Sequence, residues 1–231
     1  MKSFDFQKFS VCQSPEVFRV GTDGVLLGAL SSAEKACHIL EVGCGTGLIS
    51  LMLAQRNPVA EIQALDINPK AIELSELNFK NSPFSARLSV ECVDFKKFTS
   101  DVKFDLIVCN PPYFGENSSI KDVIARQKIE LDFFDLVKNS SKFISENGIF
   151  SVIVPAYSAE EFCKISAEQQ LFLIRKINIY GISGGSLKRN ILEFSPSEKP
   201  LEISDFTIEK SPRKYSNQYL ELTKEFHVFR K

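Results

Sequence analysis

The chain has 231 residues, 44% apolar and 25% charged, with a net charge of −1; that mix suits one globular domain with a sizeable core, or one domain plus a small appendage. No apolar run approaches the roughly 18 residues of a membrane span, and the acid in Met1-Lys2-Ser3-Phe4-Asp5-Phe6 leaves no apolar core for a signal peptide. Six cysteines without a C-x-x-C pair, and only His38 and His227, exclude a zinc site of ordinary spacing, so no metal, no disulfide, no membrane and a reducing cytoplasm are expected.

The charge is unevenly spread. From Arg175 to the end there are 11 Lys and Arg against 7 Asp and Glu, which makes the C-terminal quarter the candidate basic face. Among the cysteines, Cys92 and Cys109 fall in apolar runs, where cysteine behaves as a small hydrophobe.

Residues 1–37 read as an N-terminal extension that covers a site in a main domain over 38–231. Phe4, Phe6, Phe9 and Val11 are spaced as a strand or hairpin arm, and Gly21-Thr22-Asp23-Gly24 opens a helix with Thr22 or Asp23 as its cap. From His38 onward short apolar runs alternate with helix-length segments, the pattern of an α/β fold with a mostly parallel sheet. Strands are expected at His38–Val42, Glu61–Asp66, Leu88–Val93, Phe104–Cys109, Gly148–Val154, Phe172–Tyr180, Asn190–Phe194 and Phe226–Phe229. Helices are expected at Thr46–Arg56, Pro69–Asn81 (capped by Asn68), Leu131–Ser145 and Ala159–Gln169. Gly181–Arg189 reads as a flexible hairpin or loop, and Pro196, Pro200 and Pro212 break the remainder into pieces.

Two stretches carry chemistry. The first is Glu41-Val42-Gly43-Cys44-Gly45-Thr46-Gly47, a glycine turn directly after the first parallel strand, where this fold class binds nucleotides. Glycines there let backbone pass close to a ligand, while Leu48 occupies the place of the third glycine of a dinucleotide fingerprint. Asp66 ends the second strand, placed to accept ribose hydroxyls. Asp94 ends the third, placed to accept an adenine amino group, with Phe95 covering the ring.

The second stretch is Asn110-Pro111-Pro112-Tyr113 after the fourth strand, followed by Phe114. An exocyclic aromatic amine or an amide nitrogen is a poor nucleophile because its lone pair is delocalised. An Asn side-chain carbonyl and the Pro111 carbonyl can each accept one N–H, which favours a pyramidal nitrogen with its lone pair aimed at an electrophilic methyl. Proline adds no competing N–H and stiffens the turn. Tyr113 offers a stacking face and Phe114 adds to it.

The glycine turn with Glu41, Asp66 and Asp94 in register resembles the S-adenosylmethionine-dependent methyltransferases of the seven-stranded, Rossmann-like class I kind. The tetrad occurs in adenine-N6, guanine-N2 and release-factor glutamine-N5 methyltransferases. Phe9-x-Val11-x-Gln13, Phe18-Arg19-Val20-Gly21-Thr22-Asp23-Gly24-Val25-Leu26-Leu27-Gly28-Ala29, Ala125-Arg126 before Leu131, and Tyr215-Ser216-x-x-Tyr219-x-x-Leu222-Thr223-Lys224-Glu225-Phe226 resemble the tRNA adenine-37 N6-methyltransferase family acting on valine tRNA.

That resemblance implies an enzyme using S-adenosyl-L-methionine, with Val20, Gly21, Thr22, Asp23, Glu41, Gly43, Cys44, Gly45, Gly47, Asp66, Ile67, Asp94, Phe95 and Asn110 at the cofactor. Asn110, Pro111, Pro112 and Tyr113 would hold adenine. Phe114, Arg126, Lys128, Arg189, Lys210, Arg213 and Lys214 would meet the anticodon stem-loop of the tRNA, and a monomer is expected. The alternatives are another planar amine or amide: guanine N2 in rRNA, or glutamine N5 of a release factor. A different class, a nucleotide-dependent oxidoreductase, is disfavoured by Leu48 and by the tetrad. The short segment before His38 disfavours the glutamine enzyme, which usually carries a larger N-terminal domain.

Overall fold

A computed structural model describes residues 2–17, 19–111 and 132–228. An N-terminal hairpin pairs β1 (Lys2–Asp5) with β2 (Ser10–Gln13), and α1 (Thr22–Leu30) follows. The strands of the main sheet are β3 (His38–Val42), β4 (Glu61–Asp66), β5 (Leu88–Cys92), β6 (Phe104–Cys109), β7 (Ile144–Pro155), β8 (Phe172–Ile182), β9 (Leu187–Ser195), β10 (Glu202–Ser211) and β11 (Lys214–Tyr215). The helices between and after them are α2 (Leu48–Arg56), α3 (Pro69–Lys80), α4 (Phe133–Phe143), α5 (Ala159–Glu168) and α6 (Asn217–Thr223).

Across the described residues the order is β11-β10-β8-β9-β7-β6-β3-β4-β5. The segment β7-β6-β3-β4-β5 is parallel throughout, and β9 is antiparallel to both of its neighbours. β10 returns parallel to β8, so it points the same way as β3 and β6. The central strands are continuous apolar runs because helices cover both faces: His38–Val42 reads HILEV and is buried from Ile39 to Val42. One face of the core is built on Phe150, Phe162 and Phe194, the other on Leu26, Leu27 and Leu53. The hairpin is tied in as well, with Phe6, Phe9 and Val11 packed on Leu48, Met52 and Phe79.

The α/β class, the parallel sheet and the Asn68 cap are as expected; the Asn68 side chain accepts from Lys70 N at 3.0 Å with Pro69 next to it. Several boundaries are corrected. The sheet has nine strands in the described residues, against the seven of the class it resembles. The extra two arise because Pro196 and Pro200 precede β10 and Pro212 sits in the β10–β11 turn, bracketing strands without interrupting them.

The span 181–189 is the hairpin of the two readings offered, joining antiparallel β8 and β9 through a short turn in which Gly184 takes φ +73°. Helix α2 starts at Leu48, since Gly47 is left-handed at φ +75°. Gly21 caps α1, in place of Thr22 or Asp23, with no side-chain cap bond. Helix α4 is shorter than Leu131–Ser145 because Ile144 already begins β7. In place of a last strand there is only a bridge between Phe6 and His227, with Phe229 outside the described residues. Cys92, expected inside, is exposed because β5 is the outer strand, whereas Cys109 is buried in β6. No described helix is long and apolar enough to cross a membrane, and no described group of three or more His, Cys, Asp and Glu could hold a metal ion.

Candidate active site

The register gathers the singled-out residues along one sheet edge. Val42 of β3 lies opposite Leu65 of β4 and Cys109 of β6, and Asp66 lies opposite Cys92 of β5. Gly43, Asp66, Asp94 and Asn110 therefore stand at the C-terminal ends of four adjacent strands, where open α/β sheets bind ligands.

The glycine turn is built over the end of β4. Gly43 N and Cys44 N both donate to the Leu65 carbonyl, at 2.8 and 2.9 Å, and Gly47 N closes the turn on Cys44 O at 2.8 Å. Gly43, Gly45 and Gly47 have φ of +74°, +55° and +75°, the left-handed region that side chains disfavour. Two of these glycines serve different purposes. A Cβ on Gly47 would lie 2.4 Å from Phe79 Cε1, so this glycine permits close packing of α2 on α3. A Cβ on Gly43 would meet nothing within 4 Å; this exposed backbone faces open space on the crevice side.

Two carboxylates fix the turn. Asp66 accepts from Gly45 N through Oδ2 and from Asn68 N through Oδ1, both at 2.9 Å. Each oxygen keeps a second lone pair for a ligand hydroxyl. Glu41 is 1% exposed. Its Oε2 accepts from Ser50 N at 2.9 Å and from the Ser50 hydroxyl, while buried Oε1 has no partner among the described residues. Burial pushes the Glu41 carboxyl up to about 8, against the two Ser50 hydrogen bonds, which lower it. Asn110 Oδ1, at the end of β6, is likewise buried and partnerless among the described residues. Buried oxygens of Gln55, Ser140, Ser166 and Asn190 also lack a partner among the described residues, so it is the position of Glu41 Oε1 and Asn110 Oδ1, beside the C-terminal strand ends of the parallel sheet, that points to a ligand. Two such oxygens, together with the open space over Gly43, fit a cofactor carrying N–H donors and ribose hydroxyls.

The other assignments divide. Asp94 caps the turn Phe95–Lys97, its Oδ1 accepting from Lys96 N at 3.0 Å. Ile67 is 60% exposed beside Asp66 and offers apolar surface. Val20 N is held by Gln13 Oε1 at 3.1 Å, and Gly21, the cap of α1, and Thr22, its first residue, are exposed. Pro111 is buried. Pro112, Tyr113, Phe114, Arg126 and Lys128 lie outside the described residues.

One reading is corrected, and two other residues are placed in more detail. Phe95 is 4% exposed and packs on Phe98 and Phe143, so its ring belongs to the core and does not cover a ligand. Cys44 turns its thiol inward, 3.8 Å from Ser75 Oγ, and contributes only backbone to the turn. Arg189 is engaged by Asp23, Nε to Oδ2 at 3.1 Å, which ties β9 to the first turn of α1. Asp23 thus orients that segment through an ion pair. Lys210, Arg213 and Lys214 are exposed around the β10–β11 turn; β10 runs parallel to β6 through β7, β9 and β8, so they occupy the same sheet edge as Asn110.

The sequence reading missed Ser50, Asn78 and Phe79. Asn78 is 1% exposed; its Nδ2 donates to Thr46 O at 2.9 Å and to Cys12 O at 3.2 Å, and its Oδ1 accepts from Cys12 N at 2.8 Å. It links the hairpin to the glycine turn. A polar residue on the buried face of α3 was the available signal.

A family model for the methyltransferase small domain matches residues 9–158. A protein of Flavobacteriaceae bacterium (strain 3519-10) named tRNA1(Val) (adenine(37)-N6)-methyltransferase is 50% identical over 99% of this chain and 100% of its own length. A protein of the same name from Phocaeicola vulgatus is 41% identical over 97% of each chain. Among solved structures, a predicted O-methyltransferase from Agrobacterium tumefaciens superposes with a TM-score of 0.72 at 20% identity, covering 88% of this chain and 96% of its own. The N-methyltransferase NodS from Bradyrhizobium japonicum, in complex with S-adenosyl-l-homocysteine, gives 0.55 at 20% identity, covering 75% and 84%. These two likenesses concern the fold, which is that of class I methyltransferases. On the family match and the near-full-length identity, the chain belongs to the methyltransferase small domain family, among the relatives named tRNA1(Val) (adenine(37)-N6)-methyltransferase.

Proposed function

We propose that the chain transfers a methyl group from S-adenosylmethionine to N6 of adenine-37 in a valine tRNA. The observation that carries the reading is the buried Oδ1 of Asn110, without a partner among the described residues, next after Cys109, which pairs with Val42 beside the open turn at Gly43. When bound, the cofactor supplies an electrophilic methyl group.

The protein's part is placement. Asp66 accepts the ribose hydroxyls with its remaining lone pairs, Asp94 takes an adenine N–H and Ile67 supplies an apolar face, while Glu41 gives up its proton on binding so that Oε1 accepts an N–H. Asn110 accepts an N–H of the target amine and keeps its lone pair directed at the methyl. Such positioning accounts for most of the acceleration in a displacement of this kind. No general base is needed, because the methylated nitrogen is acidic until it releases its proton to solvent.

Adenine-37 stands in a single-stranded loop, where a base unstacks at low cost. Lys210, Arg213 and Lys214 provide phosphate contacts on the same edge. The reading places a monomer in the cytoplasm. Methyl acceptance by a valine-tRNA transcript tests it: transfer should occur, and replacing adenine-37 with guanine should abolish it. Undiminished transfer to the guanine transcript would overturn the choice of target.

A further inference from the structure

The C-terminal stretch Tyr215-Ser216-x-x-Tyr219 is not accounted for by the catalytic crevice. We propose that Tyr215 is a base-stacking platform for single-stranded RNA, placed beside the phosphate contacts and remote from the methylated base. The proposal rests on the tRNA reading above and adds a second contact point to it.

Tyr215, at the end of the edge strand β11, is 44% exposed. Its ring stacks on Tyr219, with centroids 4.5 Å apart and 23° between planes. Tyr219 is itself 4% exposed and stacks on His227, whose Nε2 lies 3.1 Å from its hydroxyl. Tyr215 is thus the outer tier of an aromatic stack whose inner tiers are anchored in the fold.

The backbone beneath it is equally constrained. Tyr215 pairs with Glu209 across the β10–β11 ladder. Ser216 caps α6 by accepting from Tyr219 N at 3.0 Å, and its hydroxyl donates to Thr207 O. The turn between the two strands uses Arg213 at φ +64°, with Arg213 N bonded to Glu209 Oε2 at 3.1 Å.

Scattered exposed aromatics are ordinary on protein surfaces. This one differs in its surroundings. Lys210, Arg213 and Lys214 are all exposed within the same turn. A flat ring next to several cations is how proteins hold single-stranded nucleic acid: bases stack on the ring and phosphates meet the cations. The sheet order places β11 five strands from β6. At roughly 4.8 Å per strand that is about 24 Å from Asn110, too far to touch the target adenine and on the same edge. The partner is therefore a nucleotide of the same RNA outside the pocket.

The test uses the full chain and a fluorescein-labelled hairpin RNA with the anticodon stem-loop sequence of a valine tRNA. Tyr215→Leu keeps an apolar contact with Tyr219 and removes the aromatic face; Tyr215→Phe keeps the face. Stacking is worth about 1–3 kcal/mol per base, so Tyr215→Leu should weaken binding about 5- to 150-fold. Tyr215→Phe should bind within about twofold of the parent, the margin expected when the face is unchanged. Thermal unfolding of each variant separates a folding defect from lost binding. Unchanged affinity in a folded Tyr215→Leu overturns the platform, as does a Phe variant as weak as the Leu variant. Methyl transfer by the parent chain to full-length tRNA is measured alongside. Transfer without a Tyr215→Leu effect leaves the tRNA reading standing and removes the platform. A Tyr215→Leu effect without any transfer does the opposite.

Discussion

Gly43 and Gly47 share nearly the same φ and should fail in different ways when given a Cβ. Both are left-handed, at φ +74° and +75°, and an alanine in that region costs about 1–2 kcal/mol. At Gly43 nothing lies within 4 Å of the new methyl, so strain is the whole stability cost. At Gly47 the methyl would fall 2.4 Å from Phe79 Cε1 and 3.2 Å from Ser75 Cβ, adding about 1–3 kcal/mol of overpacking. For a chain of this size each kcal/mol moves the unfolding midpoint by about 2–4 °C. Gly47→Ala should therefore melt roughly 4–20 °C lower than the parent and Gly43→Ala roughly 2–8 °C lower. Cofactor binding should reverse the ranking. The Gly43 methyl enters the space assigned to S-adenosylmethionine, and the same overpacking cost applied to a ligand predicts about 5- to 150-fold weaker binding. Differential scanning fluorimetry and isothermal titration calorimetry, both on the free chain, read the two quantities. Parent-like affinity in Gly43→Ala, or equal melting of the two variants, would refute the division of labour within the turn.

Three further outcomes are expected. Glu41 carries a folded-state pKa raised from 4.5 to about 8 by burial; between those values the unfolded chain is ionised while the folded chain keeps its proton. Stability should fall as pH rises through that window, by up to about 1.4 kcal/mol per unit, and Glu41→Gln should flatten the slope in chemical denaturation at a series of pH values. Asp66→Ala removes acceptors from Gly45 N and Asn68 N as well as from the ribose, so calorimetry should show weaker S-adenosylmethionine binding together with a stability loss of about 1–3 kcal/mol; unchanged affinity would remove Asp66 from the ribose role. Replacing Lys210, Arg213 and Lys214 together by Ala should weaken tRNA binding and reduce its salt slope by about 2–3; an unaltered slope in filter binding would place the phosphates elsewhere.

The parts of the site that were legible in the sequence are those fixed by local chemistry. The run Ile39–Val42, apolar except for Glu41, marks a strand buried on both faces, and the glycines after it mark a turn. Asn68-Pro69 marks a helix start whatever surrounds it. Tertiary competition hid the rest. Phe95 stands beside a candidate ligand acid in sequence, yet Phe98 and Phe143 claim its ring for the core. Arg189 has the composition of a phosphate contact, and only the fold brings Asp23, from a distant segment, to within 3.1 Å. β10 was concealed because its prolines signal breaks locally while in the structure they lie at its ends. Its alternation is also weak, with Phe206 the one buried side chain among Glu202–Ser211. The roles of Ser50 and Asn78 depend on which backbone groups and carboxylates arrive beside them, information that single positions do not carry.

The most direct measurement of the central claim is nucleoside mass spectrometry of valine tRNA after incubation with isotopically labelled S-adenosylmethionine, for the parent chain and for Asn110→Ala. The parent should yield labelled N6-methyladenosine at position 37, and Asn110→Ala should yield none while retaining cofactor affinity. Labelled N2-methylguanosine from the parent, or undiminished N6-methyladenosine from Asn110→Ala, would contradict the account.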